Sequence, residues 1–297
     1  MPNQFKTIGI IGKHGDESLG DTLKELIQYL ERRQLEILID ERTLELATDI
    51  NTKLSGVDRD TLGERADLVF VVGGDGTILA AARSLVEYEV PILGINLGRL
   101  GFLADISPAE VHEKLDQILA GEYEEEKRAM LHARVMRNGQ QIGESSAFND
   151  VVIHSCNVAR MIQYETYIEG KFVSRSNADG LIVATPTGST AYALSGGGPI
   201  VHPSLNALVL VTVCPHTMSH RPIVIDADSE IKIVFDEHNQ ASAQVSCDGQ
   251  VDISLENGDC VHIKRKIKPI RLIHPKNHNY YSILRAKLHW GKRLKAD

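Results

Sequence analysis

The period of the apolar positions changes near residue 127, which predicts two halves built on different plans. In the first, Thr7–Ile11 is a short β-branched run. Leu23, Leu26, Ile27 and Leu30 then recur at helical spacing, with Asp16 and Glu17 ahead of them and Arg32 and Arg33 behind. Glu36–Ile39, Leu68–Val72 and Val90–Ile95 read as strands. Leu68–Val72 carries no polar residue, which predicts a central strand buried on both faces. Ser107-Pro108-Ala109-Glu110 predicts a helix start with Ser as cap and Pro in the first turn. That helix is expected to run to about Ala120 and to stop at Gly121. Strands alternating with helices imply an α/β domain with a parallel sheet.

In the second half the period is two. Asn138-Gly139 sits between strand-like runs and predicts a hairpin. Ile162, Tyr164, Thr166 and Ile168 alternate with polar or mixed positions up to a turn at Glu169-Gly170. Leu181–Ala184, Leu208–Val213, Ile231–Phe235, Val245–Cys247 and Val261–Ile263 add strands, with turns at Asp248-Gly249 and Asn257-Gly258. This half reads as an antiparallel, sandwich-like β domain. The acidic stretch Glu122–Glu126 marks the expected boundary. The division is 1–125 for the α/β domain, 126–276 for the β-rich domain, and a helical tail over 277–297.

Composition narrows the classes. With 297 residues, 42% of them hydrophobic, the chain has material for two cores. A net charge of -8 argues against a nucleic-acid partner, which needs clustered cations. No run reaches the apolar length of a membrane span, so no membrane partner is expected. Cys156, Cys214, Cys247 and Cys260 form no Cys-x-x-Cys pair and match no zinc spacing. A cytoplasmic location and no protein-borne metal set follow as expectations. Neither His154, His202, His216 and His220 nor Ser189 matches a metal or hydrolase motif. Lys264-Arg265-Lys266 reads as a solvated strand face.

Candidate chemistry concentrates in two segments. Gly73-Gly74-Asp75-Gly76-Thr77 follows the strand Leu68–Val72 and precedes the helical run Ile78–Leu85. Ligands in open α/β sheets bind at the carboxyl ends of strands. Glycines let backbone N–H groups approach phosphate, and a helix N-terminus favours an anion. Asp75 is the loop's one ionisable group. It can accept a proton from an attacking hydroxyl, hold a metal ion, or simply satisfy loop amides. The loop is neither a P-loop nor a G-x-G-x-x-G fingerprint. The second segment, Thr185 to Tyr192 with Ser195-Gly196-Gly197-Gly198-Pro199, concentrates hydroxyls and glycines around one aromatic ring. It suits a polar ligand carrying a sugar or a base.

The loop at Asp75 resembles that of NAD kinases, of diacylglycerol- and sphingosine-type lipid kinases and, more distantly, of phosphofructokinases. The second segment, with Asn149-Asp150, resembles the bacterial NAD kinase family, as does Asn96 to Leu103. The resemblance implies transfer of a phosphoryl group from ATP to the adenosine ribose 2′-hydroxyl of NAD, giving NADP. It makes Asp75 the proton acceptor, with Gly73, Gly74, Gly76 and Thr77 at the phosphates. It gives Asn149 and Asp150 to the nucleoside, and Asp179 to the nicotinamide end, contributed by a neighbouring subunit. Thr187, Thr190, Ala191, Tyr192, Ala193, Leu194 and Ser195 would line the adenosine site. Arg160, Asn177 and Gln250 supply further contacts. Asn177 stands where many relatives carry Arg, and Asp150 where many carry Glu. Further implications are a divalent cation, Mg²⁺ with the ATP, a homotetramer or homodimer, and a tail that returns to the first domain. A lipid kinase, a non-catalytic dinucleotide sensor and a nicotinamide oxidoreductase are the rival readings. The polar character of Thr185–Tyr192, the presence of Asp75 and the missing Rossmann fingerprint weigh against them in that order.

Overall fold

The structure, a computed structural model, describes residues 5–13, 19–46, 54–98, 101–104, 106–107, 110–157 and 160–290. Asp16, Glu17, Arg99, Leu100, Pro108 and Ala109, which figure in the motifs above, lie outside these residues. The chain divides into one unit of residues 1–127 with 270–297 and another of residues 128–269.

In chain order the first unit runs β1 (Thr7–Gly12), α1 (Leu19–Arg32), β2 (Glu36–Asp40), α2 (Glu41–Leu46), β3 (Gly56–Val57), α3 (Arg59–Arg65), β4 (Leu68–Val72), α4 (Asp75–Leu85), β5 (Ile92–Ile95), α5 (Val111–Leu119) and β6 (Tyr123–Arg128). The second unit contributes β7 (Leu131–Arg137), β8 (Gln140–Ala147), β9 (Asp150–Ser155), β10 (Ile162–Ile168), β11 (Lys171–Ala178), β12 (Gly180–Ala184), α6 (Tyr192–Ser195), β13 (Ala207–Val213), β14 (Ile223–Asp226), β15 (Ile231–Phe235), β16 (Ala243–Cys247), β17 (Val251–Leu255) and β18 (Cys260–Arg265). The chain then re-enters the first unit as β19 (Ile270–Pro275) and α7 (Tyr280–Leu288).

The first unit is a seven-stranded sheet in the order β3-β2-β1-β4-β5-β19-β6. Pairs β1–β2, β1–β4, β4–β5 and β5–β19 are parallel. β4 lies inside the sheet and is buried throughout, as its unbroken apolar run predicts. The stripe Leu23, Leu26, Ile27 and Leu30 of α1 packs with Leu115 and Ile118 of α5 on one sheet face, in a core with Ile8, Ile10, Phe70 and Val72. Of the helix expected from Ser107, the structure describes Val111–Leu119; Pro108 and Ala109, where its start is expected, lie outside the described residues. The Ser107 hydroxyl donates to the Glu110 carboxylate at 2.7 Å, and the Glu110 N–H donates to the Ser107 carbonyl at 3.1 Å.

Of the acidic stretch at 122–126, residues 123–126 belong to a strand, β6, next to β19 in the sheet. Its carboxylates are balanced by a strand from far along the sequence. Arg271 donates two hydrogen bonds to Glu125, at 2.8 and 2.7 Å.

The second unit holds two antiparallel six-stranded sheets, β11-β10-β15-β18-β7-β8 and β14-β13-β12-β9-β16-β17. Inward residues of both, among them Val135, Tyr164, Val183, Leu210, Ile233, Val245 and Val261, form one core. Asn138-Gly139 turns β7 into β8 with φ of 51° and 78°, the left-handed pair such a hairpin requires. The outer face of the second sheet is also covered. Val152, Ile182, Val209 and Val211 pack with Ala193 and Val201, which explains why β12 is apolar at consecutive positions.

Candidate active site

In the first unit β4 ends at Val72 and α4 starts at Asp75, with Gly74 as the cap residue. The Gly73 N–H donates to the Ile95 carbonyl at 2.8 Å, which ties the loop to the next strand. A Cβ on Gly73 would overlap the Thr77 hydroxyl and lie 3.0 Å from Lys13 Cβ, so glycine is required by crowding here. The Asp75 carboxylate does not project freely. It accepts hydrogen bonds from the backbone N–H groups of Phe102 at 2.9 Å, Leu103 at 3.0 Å and Ala104 at 3.3 Å. Three donors fix both oxygens in place and leave about one of the carboxylate's four acceptor sites open. Gly101 makes this approach possible, because a Cβ there would overlap Asp75 Oδ1. Asn96 shapes the same segment, accepting from the Gly98 N–H at 2.8 Å and donating to the Ala104 carbonyl at 3.4 Å.

The second unit holds a cavity of about 330 Å³ lined by Asn149, Asp150, His154, Ala191, Tyr192 and Asp248, with Val152, Ser246 and Gly249. A neighbouring cavity of about 480 Å³ includes Asp179, Gly180 and Cys214, and shares His154 and Tyr192 with the first. Two cavities with a common aromatic wall suit an elongated ligand. Asp150 is 5% exposed. Burial, and then the charge of Asp248, push its carboxyl up to about 7.

Asp248 was legible in the sequence only as a turn residue. It accepts from the N–H groups of Phe148 at 3.0 Å, Asn149 at 2.7 Å and Asp150 at 3.3 Å. One carboxylate thereby sets the whole Asn149-Asp150 backbone. The segment after β12 grips that backbone from the other side. Thr185 donates from its hydroxyl to the Phe148 carbonyl at 2.7 Å and from its N–H to the Asn149 carbonyl at 2.8 Å. Gly188 packs so tightly that a Cβ would overlap the Asn149 carbonyl oxygen and lie 2.7 Å from Asn149 Cα.

The structure thus gathers Asn149, Asp150, Ala191 and Tyr192 at one cavity and Asp179 and Tyr192 at the next. Arg160 and Asn177 share a third cavity of about 480 Å³, with Gln163 and His238. Thr187, Thr190, Ala193, Leu194, Ser195 and Gln250 line none of these three. Thr187 accepts from Arg128 at 3.1 Å, and Ala193 is a core residue. His154, which matches no metal motif in the sequence, lines both of the first two cavities. Its Nε2 lies 3.2 Å from the Gln244 amide nitrogen.

A glycine loop with a fixed carboxylate on a parallel sheet in one unit, and polar ligand cavities in the other, define a nucleotide-handling phosphotransferase as the class. Comparison with known proteins gives the family. Residues 8–123 match the ATP-NAD kinase N-terminal domain and residues 148–275 the ATP-NAD kinase C-terminal domain. The chain is 52% identical over 290 residues to the NAD kinase of Chromohalobacter salexigens, covering 98% of each chain. It is 50% identical over 294 residues to that of Nitrosococcus oceani, covering 99% of this chain and 100% of the other. Among solved structures, yeast NADH kinase complexed with NADH superposes with a TM-score of 0.90 at 25% identity, covering 99% and 91% of the two chains. An Archaeoglobus fulgidus NAD kinase in complex with ATP gives 0.73 at 26%, covering 95% and 98%. The chain belongs to the ATP-NAD kinase family. It is a phosphotransferase acting between ATP and NAD.

Proposed function

We infer that the chain transfers the terminal phosphoryl group of ATP to the adenosine ribose 2′-hydroxyl of NAD, with Asp75 as proton acceptor. The observation that carries this reading is the Asp75 carboxylate, fixed by three backbone N–H donors at the end of the glycine loop. As the 2′-oxygen attacks the γ-phosphorus, its proton passes to Asp75. The bond to the β–γ bridging oxygen breaks, and ADP leaves. In-line positioning does most of the work in such a transfer, so a fixed base has value that a mobile one lacks.

On the acceptor side, Tyr192 stacks on the adenosine. Asn149 and Asp150 bind nucleoside hydroxyls and base edges. Asp179 binds the nicotinamide end, and Arg160 and Asn177 contact the dinucleotide further out. Gly73, Gly74, Gly76 and Thr77 hold the triphosphate. Thr187, Thr190, Ala193, Leu194, Ser195 and Gln250 support the adenosine site by shaping its backbone.

A divalent cation, Mg²⁺, accompanies ATP. With the open site of Asp75 taken by the acceptor hydroxyl, the cation would be held by phosphate oxygens and waters, which fits Mg²⁺ rather than an ion held in a protein cage. When bound, it neutralises charge on the transferring phosphates. We take the working form to be a cytoplasmic homotetramer or homodimer. The test supplies ATP, Mg²⁺ and either NAD or a diacylglycerol vesicle as acceptor. NADP formation with no lipid phosphate supports the reading; lipid phosphate, or NAD binding without turnover, overturns it.

A further inference from the structure

We propose that Glu126, His274 and His278 form a binding site for a transition-metal dication of the Zn²⁺ class, which fastens the entry of α7 to the sheet. None of the three belongs to the phosphate loop or the acceptor cavities. Spacing along the sequence could not reveal the group, because Glu126 and His274 come from opposite ends of the first unit. The fold joins them as neighbours on β6 and β19. His278 lies between β19 and α7, where its N–H donates to the Pro275 carbonyl at 3.1 Å. One ligand atom from each of the three lies within 4.8 Å of the other two. Among the described residues this is the only such group of histidine, cysteine and carboxylate side chains.

The donor set names the ion class. Two imidazole nitrogens and one carboxylate suit Zn²⁺, Co²⁺ or Ni²⁺, whereas Mg²⁺ and Ca²⁺ prefer all-oxygen sets. With metal–ligand bonds of about 2.1 Å, the ligands of a tetrahedral site stand roughly 3.4 Å apart. His274 Nε2 and Glu126 Oε2 already lie 3.4 Å apart. His274 is 2% exposed, so that pair is held by its surroundings. His278 is the ligand that must adjust. Its ring stacks on His274 with centroids 3.8 Å apart and planes at 23°, and two stacked rings do not aim both nitrogens at one ion. Its position outside any helix or strand, half-buried, allows that rotation. Three protein ligands leave a fourth position for water. The consequence lies along α7, where Lys287 sits 5.8 Å from the centre of the Phe102 ring. Phe102 is one of the residues whose N–H holds Asp75.

The test uses the full chain, stripped with a chelator and titrated with Co²⁺ without nucleotide. Visible d–d absorption reports inner-sphere nitrogen ligation, and Zn²⁺ competition reports affinity. We expect one equivalent bound with a tetrahedral-type band, displaced by Zn²⁺ and not by excess Mg²⁺. His278→Ala, a change at a partly exposed residue, and the isosteric Glu126→Gln should each weaken binding at least about tenfold, with circular dichroism unchanged. No band, or an affinity unmoved in both folded variants, overturns the site.

Discussion

At the residue scale, two carboxylates sit in opposite settings. Asp75 is surrounded by donors, and the fit depends on Gly101. Gly101→Ala should therefore lower kcat by about tenfold or more while leaving the KM for NAD within about twofold, since the damage falls on the base. Steady-state kinetics check this, and an effect on the KM for NAD alone would contradict it. Asp150 has burial and a nearby Asp248 charge where Asp75 has donors, and titrates near pH 7. Its folded value lies above the ordinary 3.8. The stability this group contributes is thus fully present below about pH 4 and is lost as pH rises through 7. Asp150→Asn should raise the Tm more at pH 8 than at pH 5. If the carboxylate accepts from nucleoside hydroxyls, the wild-type KM for NAD should also fall from pH 6 to pH 8, and the Asn variant should flatten that slope. Thermal scans and a pH series of KM decide both.

At the element scale, local pattern was legible and long-range pairing was not. The apolar run of β4, the stripe of α1 and the Asn138-Gly139 hairpin are each determined within a few residues, and each stands where the pattern put it. The division of the units falls at β6, but its place in the sheet was not legible, because the partners of its carboxylates, Arg271 and His274, lie about 150 residues away. The same distance hid the role of Asp248, which braces Asn149 across 99 residues. The glycine and hydroxyl residues of 185–190 are equally double in meaning. They read as a polar ligand surface, yet Thr185 and Gly188 grip the Asn149 backbone. Two variants separate gripping from contact. Gly188→Ala should raise the KM for NAD by displacing Asn149, and should also lower the Tm. Tyr192, 46% exposed, should when changed to Ala raise the KM for NAD more than that for ATP at unchanged Tm. An effect confined to ATP would mean that the two nucleotides have been exchanged in the assignment.

At the scale of the whole molecule, the proposed assembly would draw on the edge strands of the second unit. Phe172 on β11 is 58% exposed and Val224 on β14 is 52% exposed, and each strand ends its sheet. Unpaired edges carrying large apolar side chains are normally covered. The double variant Phe172→Glu with Val224→Glu should shift the light-scattering mass toward the monomer of 32.8 kDa. If Asp179 completes a neighbour's site, turnover should fall with it. A monomeric wild type of full activity would remove both ideas.

Whether a fixed Asp75 receives the 2′-hydroxyl proton of NAD is decided by one paired measurement. Asn at position 75 can keep an acceptor oxygen toward Leu103 and Ala104 while losing the bond from Phe102, which costs about 1–3 kcal/mol of stability. Turnover of ATP and NAD to NADP should be measured for the wild type and Asp75→Asn together, below the Tm of the variant and with NAD affinity determined by calorimetry. If Asp75 is the base, the wild type forms NADP, and the variant keeps near-normal NAD affinity with kcat lower by roughly a hundredfold or more. Comparable kcat in the two proteins would contradict it.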